Sequence, residues 1–448
     1  MTADTRVQTA IPTPTEFDRR FLEPRIEAAT RDEIVALQEQ RIRELVPYAW
    51  ERSAFYRDLW SRAGVKPQEI RSLNDFTAKI PTFCKDDIKE FRSRTGDPFG
   101  GLLCVDASQL TSITSTSGTT GLPELIPEIW TVAPPLPTHY SRNFWEMGLR
   151  PGDKVLIPPG SFRNFFDDFL HMMGLIPIYM DCWIGQGEQV LRTIERHQVA
   201  FAHLFLPTVL EFEKLEALYD IKSMLSSLKA AAFAGMPLGR ALTEKVTNTW
   251  GVNLFTYTSA GDTGTAWEAR EHDGYVLWED TVLAETLDTT TGAPVGEREI
   301  GELVATDLDN WAAPYIRFRS GDLVRITREP APSGPTHARM WVLGRSGDEM
   351  SIAGRTVMLS EVWQLLESIP EFSDGIFQVV KSSDAMDRLR LRAGYPPDRA
   401  GDLDELQRRT TAVVEAALGA PVDVELKPVD DLLATVSSVA KFSRVVKA

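Results

Sequence analysis

Cysteine is scarce in this chain: Cys84, Cys104 and Cys182 are the three in 448 residues, far apart and with no CxxC pair. That usage excludes a disulfide framework and a cysteine zinc site, and it fits a reducing compartment. Each cysteine reads as a small buried hydrophobe rather than a nucleophile. Long apolar runs are missing as well, and MTADTRVQTAIPTPTEFDRR at the start has no signal-peptide core. A soluble, cytoplasmic protein with no membrane partner is the expectation. Positive charge is in deficit, with 48 Lys and Arg against 64 Asp and Glu and a net charge of −16. Such a balance argues against nucleic acid or anionic membranes as partners. The six histidines show no ligand-like spacing, and no Gly-Lys-Ser/Thr closes a Walker loop. With 43% apolar and 25% charged residues, what remains is ordinary globular material for about two or three domains.

What the chain does have is the run Ser115-Thr116-Ser117-Gly118-Thr119-Thr120-Gly121-Leu122-Pro123. Glycines let backbone N–H groups approach a ligand closely, and hydroxyls add donors that re-aim. The composition suits the oxygens of a polyphosphate. It equally describes a flexible Ser/Thr-rich linker. Its shortness, and the apolar stretches Leu102 to Val105 and Leu125 to Trp130 beside it, favour a phosphate loop.

Periodicity organises the rest. Residues 1–20 read as a loose polar arm, and helices are expected over Arg31 to Glu51 and Ser53 to Ala63. From about Lys154 short apolar runs (Val155 to Ile157, Phe201 to Leu206, Ala230 to Ala234, Val252 to Tyr257) alternate with helical stretches over Gly187 to His197 and Thr208 to Leu228. This is the pattern of βαβ units around a parallel sheet. Beyond Gly264 it becomes hairpin-like, with strands expected at Gly301 to Thr306, Tyr315 to Phe318 and Leu323 to Ile326. From Arg345 a mixed region follows: helix Ser360 to Ser368, strand Ile376 to Val380, helix Leu403 to Leu418, strand Val422 to Leu426. Polar clusters follow several strands: Ala234 to Pro237, Tyr257 to Asp262, Arg319 to Asp322, and Gly344 to Asp348. Ligands of open α/β sheets bind at such strand ends.

In this order the clusters make the chain resemble the acyl-adenylate-forming (AMP-binding) superfamily, and within it the phenylacetate–CoA ligase branch. The resemblance covers nearly the whole length. It takes in Ser53 to Arg57, Ala63-Gly64-Val65, Ile80-Pro81 with Lys85-Asp86-Asp87, and the Ser/Thr-rich loop. Asp273-Gly274-Tyr275, Trp278-Glu279-Asp280, Gly301 to Val304, Ile316 to Leu323 and Gly344-Arg345-Ser346 complete it. It implies an α/β N-terminal domain over 1–344, built of parallel sheets flanked by helices plus a small antiparallel section, and a small mobile α+β C-terminal lid over 345–448.

The activity so implied is ATP-dependent conversion of a carboxylic acid, aromatic or arylalkyl in this branch, to an acyl-adenylate. Transfer to the thiol of coenzyme A then gives an acyl-CoA thioester and AMP. Two other readings stand beside it: an adenylating enzyme serving a carrier-protein thiol or an amine, and a non-catalytic nucleotide-binding regulatory relative. ATP, Mg2+ and coenzyme A are the implied cofactors, and relatives in the branch are often dimers. By resemblance, Ser117, Gly118, Thr119, Thr120 and Gly121 would hold the departing pyrophosphate, and Gly235, Met236 and Pro237 the adenine side. Tyr257 would wall the base, and Asp322 would accept the ribose hydroxyls unless it merely caps a turn. Arg345 would contact ribose or phosphate, or else form a surface salt bridge. Lys441 would enter the site as the adenylation lysine; the alternative is an ordinary solvated tail lysine, since Ala440 replaces the usual flanking glycine. Gly347 would be the hinge. Phe165 and Phe166, with Thr258, Ser259, Ala260 and Gly261, would line the acid pocket, although phenylalanines at that spacing are more often plain core.

Three departures stand out. Leu122 and Glu124 follow the loop where relatives often carry a lysine. Gly261 stands where the family has a magnesium-binding glutamate, leaving Asp262 as the nearest carboxylate. Glu268, Arg270 and His272 replace a cysteine-rich segment, so a structural zinc is not expected.

Overall fold

Strand Leu254–Ser259 has one half in each of two compact units. The computed structural model describes residues 17–115, 125–129, 139–157, 167–180, 185–233, 238–332, 334–346, 350–383, 385–434 and 442–447. One unit combines Met1–Gly152, Gly160–Ile176 and Tyr257–Leu343; the other combines Asp153–Pro159, Pro177–Thr256 and Gly344–Ala448.

The second unit holds the parallel strands. Lys154–Ile157, Phe201–Leu204, Ala230–Phe233 and the first half of Leu254–Ser259 pair in that order, with Val155 opposite Phe201, Phe201 opposite Ala230 and Ala231 opposite Leu254. The runs FAHL and AAAF are buried throughout, as strands covered on both faces must be. His203 is packed into this layer, and burial alone pushes its imidazole down to about 3, so it stays neutral. The single helix expected over Thr208 to Leu228 is instead two, Leu206–Leu215 and Ile221–Met224. The break has a local cause: the Asp220 carboxylate accepts the Ser223 N–H (3.0 Å) and starts a new helix.

The C-terminal part of this unit is a four-stranded sheet in the order Val422–Pro428, Leu389–Tyr395, Phe377–Lys381, Val445–Lys447, with helices Leu359–Glu367 and Leu403–Leu418. The sequence reading did not anticipate Leu389–Tyr395, which pairs with both Phe377–Lys381 and Val422–Pro428. Its alternation is plain once seen: Leu389, Leu391 and Ala393 are buried, while Arg388 and Arg392 pair with Asp423 and Glu425.

The first unit is antiparallel around Val282–Leu287, Gly301–Asp307 and Phe318–Thr327. Thr265–Glu268 pairs with the second half of Leu254–Ser259 and with Tyr275–Val276. The strand expected from Tyr315 starts only at Phe318, because Arg317 has φ 59°. That turn aims its guanidinium at Glu285 (2.8 and 2.9 Å) and at the carbonyls of Thr77 and Ile80. Helices Arg31–Arg52 and Ala54–Arg62 pack Tyr56 and Trp60 against Phe83, Tyr315 and Phe318. The Tyr56 hydroxyl donates to the Pro314 carbonyl (2.7 Å) and accepts the Ile316 N–H (2.8 Å).

Trp278-Glu279-Asp280 serves this architecture. Asp280 receives a two-pronged bond from the buried Arg142 guanidinium (2.9 Å each), which also pairs with Glu23 (2.5 Å). Glu279 pairs with Arg31 at 2.7 Å, and Trp278 donates its indole N–H to Asn143 (2.9 Å). Of the expected loose arm, residues 1–16 lie outside the described residues. The rest is fastened: the Phe17 and Arg19 carbonyls accept from Arg150 and Trp145, and Arg20 pairs with Glu146.

Glu27 lies inside this cluster with no exposed surface, one oxygen accepting the Glu23 N–H and the other unpartnered. Burial raises its carboxyl to about 8, against the opposing pull of the Glu23 N–H and the Arg142 charge. A raised carboxyl binds its proton more tightly folded than unfolded, so its stabilising share is complete below the unfolded value and disappears as pH climbs through about 8. Glu27→Gln is expected to flatten the loss of stability between about pH 5 and about pH 8, read as urea midpoints across a pH series. An unchanged slope would refute the assignment.

Candidate active site

Strands Ser112–Ser115 and Leu125–Glu128 form a two-stranded hairpin, with Ser112 opposite Glu128 and Ser115 opposite Leu125. The Ser/Thr-rich run lies between them in sequence. Asn310 fastens the hairpin by donating to the Pro127 carbonyl (3.2 Å). Ser117, Gly118, Thr119, Thr120 and Gly121 lie outside the described residues, as do Phe165, Phe166, Gly235, Met236, Pro237, Gly347 and Lys441.

Asp322 sits in a bulge. The register passes from Val304 opposite Arg319 to Glu302 opposite Leu323, so Ser320, Gly321 and Asp322 together face Leu303. The extra residues are held in place. The Ser320 hydroxyl donates to the Leu303 carbonyl (3.1 Å) and accepts the Asp322 N–H (3.0 Å). Glu302 accepts the Gly321 N–H (3.2 Å) and pairs with Arg319. Gly321 takes φ 79°, the conformation the kink requires. Bulges of this kind turn a side chain out of the ladder.

The turn after Leu254–Ser259 lies against that bulge. Gly261 and Asp262 have φ 67° and 58°, and the Asp262 N–H donates to the Ser259 hydroxyl (2.8 Å). A Cβ at Gly261 would come within 2.8 Å of the Ala305 Cβ and 3.5 Å of the Ser320 Cβ. Space and backbone conformation both disfavour a larger residue there. Gly261→Ala is expected to cost about 1–3 kcal/mol of stability. Ala305→Gly added to it should restore part of the lost melting temperature, and a neutral Gly261→Ala would contradict this packing.

Tyr257, Thr258, Ser259 and Ala260 lead into the turn. Ala260 is buried, Thr258 partly so, and Ser259 exposed. Tyr257 stacks on its cross-strand partner Trp267 with centroids 4.0 Å apart and planes at 21°. One ring face is therefore covered, and burial holds the phenol far above its usual range. Phe169, in helix Asp167–Met172, is core against Tyr140. In the second unit, Arg345 ends strand Arg339–Arg345 and is exposed. Beside Lys441, Phe442 is buried in a core cluster, and Arg444 lies 3.6 Å over the Trp363 ring. Burial draws that guanidinium down to about 9.

Sequence reasoning did not bring Lys85 to this turn. The Lys85 ammonium pairs with the Asp262 carboxylate at 2.7 Å. The available signal was a lysine as the first residue of a helix that continues with Asp-Asp, since a cation at that end opposes the helix dipole. Asp262 keeps a second oxygen whose contact with the Ser259 hydroxyl is long, 3.5 Å. Magnesium commonly takes one or two carboxylates along with phosphate and water, so this residue fits a magnesium–nucleotide ligand. Among the described residues no three His, Cys, Asp or Glu side chains gather as a metal cluster.

No family model matches the chain. The backbone superposes on a 2-hydroxyisobutyryl-CoA ligase crystallised in the postadenylation state with an acyl-AMP, at TM-score 0.82 and 23% identity over 100% of this chain and 96% of that one. An anthranilate CoA ligase with anthranoyl-AMP matches at TM-score 0.51 and 18% identity over 74% and 67%. The fold is that of the adenylate-forming CoA ligases. In sequence the chain is homologous to phenylacetate–CoA ligases. That of Thermus thermophilus is 29% identical over 387 residues, 83% of each chain, and that of Escherichia coli 28% over 360 residues, 78% of each.

Proposed function

We propose that this protein is an AMP-forming carboxylate–CoA ligase. One substrate carboxylate oxygen attacks the α-phosphorus of ATP and pyrophosphate leaves. The coenzyme A sulfur then attacks the acyl carbon, the carbon–oxygen bond to AMP breaks, and the thioester is released. The observation that carries this reading is the contact between the Asp322 bulge and the Ser259–Asp262 turn, in a chain homologous to phenylacetate–CoA ligases.

The roles follow from the chemistry. An ionised Asp322 accepts the two ribose hydroxyls, and Tyr257 backs the base with Trp267 stiffening it from behind. Ser117 to Gly121 supply amides and hydroxyls to the pyrophosphate, and Gly235, Met236 and Pro237 border the adenine. Asp262 would hold Mg2+, whose charge would offset that of the phosphates. Lys441 bridges the substrate carboxylate and the α-phosphate, Arg345 assists at ribose or phosphate, and Gly347 is the hinge on which residues 345–448 turn between the two steps. By analogy with the homologous phenylacetate–CoA ligases the acid is aromatic or arylalkyl, and Thr258, Ser259, Ala260 and Gly261, with Phe165 and Phe166, are the residues proposed to line its pocket. The supply of ATP and coenzyme A agrees with a cytoplasmic setting. Among the described residues no helix is long and apolar enough to cross a membrane.

Acid-dependent exchange of pyrophosphate into ATP, run against a panel of aromatic and aliphatic acids, tests the proposal. Exchange with an aromatic acid, followed by thioester on adding coenzyme A, is the expected result. Thioester on a carrier protein alone would move the acceptor, and no exchange with any acid would refute the ligase reading.

A further inference from the structure

Within the second unit the C-terminal region packs directly on the helices of the parallel layer. Ile376, Val429, Leu432 and Phe442 share one buried cluster with Phe212, Leu242 and Val246. Beside this cluster two backbones come closer than side chains allow. A Cβ at Gly239 would lie 2.3 Å from the Asp374 carbonyl oxygen, and one at Gly375 would lie 3.2 Å from the Gly239 Cα. Gly239 has φ −61° and ψ 151°, values any residue adopts, so closeness alone demands a glycine there. The next residues continue the contact: the Arg240 N–H donates to the Glu367 carboxylate (2.7 Å) and the Ala241 N–H to the Ser373 carbonyl (3.4 Å).

A chain of charges closes the seam. Arg399 pairs with Asp374 (3.1 Å) and with Glu213, and Glu213 also receives Lys245 (2.5 Å). The Asp374 side chain is 3% exposed, and burial raises its carboxyl against the pull of the Arg399 charge. A desolvated carboxylate depends on its partner, so losing this bridge costs more than losing a surface one. Two neighbours in sequence give the seam its meaning. Gly239 stands two residues beyond Pro237, which ends the turn assigned to the adenine, and Phe442 follows Lys441.

We propose that this seam sets where Lys441 stands during adenylation: Gly239 and Gly375 fix how closely residues 345–448 approach the parallel layer, and Arg399 is a positioning residue that holds them there. This rests on the roles given above to Lys441 and Gly347, and it names the contact that must part before coenzyme A attacks. Displacing a reacting group by about 1 Å costs on the order of 10²-fold in rate, so a backbone contact far from the chemistry governs the step.

Half-reaction assays on the full chain test this. Gly239→Ala and Arg399→Ala are each expected to slow acyl-adenylate formation about tenfold or more, while coenzyme A capture of a supplied acyl-adenylate stays within about twofold. Arg399→Lys should recover part of the first step, because the charge is restored. Hydrogen exchange gives a second reading: in both alanine variants the amides of Arg240 and Ala241 should exchange faster, with Phe201–Leu204 and Ala230–Phe233 as protected as in wild type. Equal loss of both half-reactions, wild-type rates in both variants, or exchange that rises equally in the core strands would overturn the inference. A folded wild-type protein that forms no acyl-adenylate with any acid would instead refute the ligase reading on which it rests.

Discussion

Lys441→Ala is expected to lower acyl-adenylate formation by on the order of 10²-fold or more, while coenzyme A capture of a supplied acyl-adenylate stays within about threefold of wild type. The asymmetry follows from the charges. In the first step two anions, a carboxylate and a triphosphate, must approach each other, and one ammonium between them offsets the repulsion where it is greatest. In the second step the attacking sulfur meets an acyl carbon already activated by its AMP leaving group, so in the proposed role Lys441 would have no charge to neutralise. The segment behind it is anchored: Phe442 is buried, and Arg444 stacks on Trp363 and donates to the Gly375 carbonyl at 2.9 Å. Loss of the side chain should therefore leave the fold intact. Single-turnover assays of each half-reaction check the prediction, and equal loss of both steps would contradict the role.

The second large effect is at Asp322. Asp322→Ala is expected to reduce kcat/KM for ATP by about 10²-fold, the worth of two hydrogen bonds to a charged acceptor less partial compensation by water. A structural role in the bulge would also lower activity, so the informative comparison uses 2′-deoxy-ATP. If Asp322 accepts from both ribose hydroxyls, removing one of them leaves the substitution less to destroy, and the variant's penalty should shrink by about tenfold. A penalty independent of the sugar would assign Asp322 to the bulge alone.

Much of this organisation was legible in the residues. The parallel strands of the second unit announced themselves because strands buried on both faces read as continuous apolar runs, as Phe201–Leu204 and Ala230–Phe233 do. Helix Leu403–Leu418 was marked by its period and by Gly419, which closes it in the left-handed conformation. Features made by side chains meeting from distant segments were not legible. Nothing near Arg317 in the chain shows that its guanidinium turns inward to Glu285, which delays the strand. Asp220 was a capping residue in plain view, but the apolar period on either side of it masked the break. At the site, the clusters Tyr257 to Asp262 and Arg319 to Asp322 could be read singly. Their meeting, through Gly261 against Ala305 and Ser320, is a matter of packing that no local pattern encodes. The pairing of Lys85 with Asp262 is of the same kind, and it appears only when the two segments are placed side by side.

The central claim is that a carboxylate oxygen of the substrate becomes bonded to the α-phosphorus of ATP before the thioester forms. Phenylacetate or another accepted acid carrying 18O in both carboxylate positions, turned over with ATP and coenzyme A, measures this directly by mass spectrometry of the nucleotide product. The expected result is AMP bearing one 18O on its phosphate. AMP without label, or ADP formed in its place, would contradict the acyl-adenylate route.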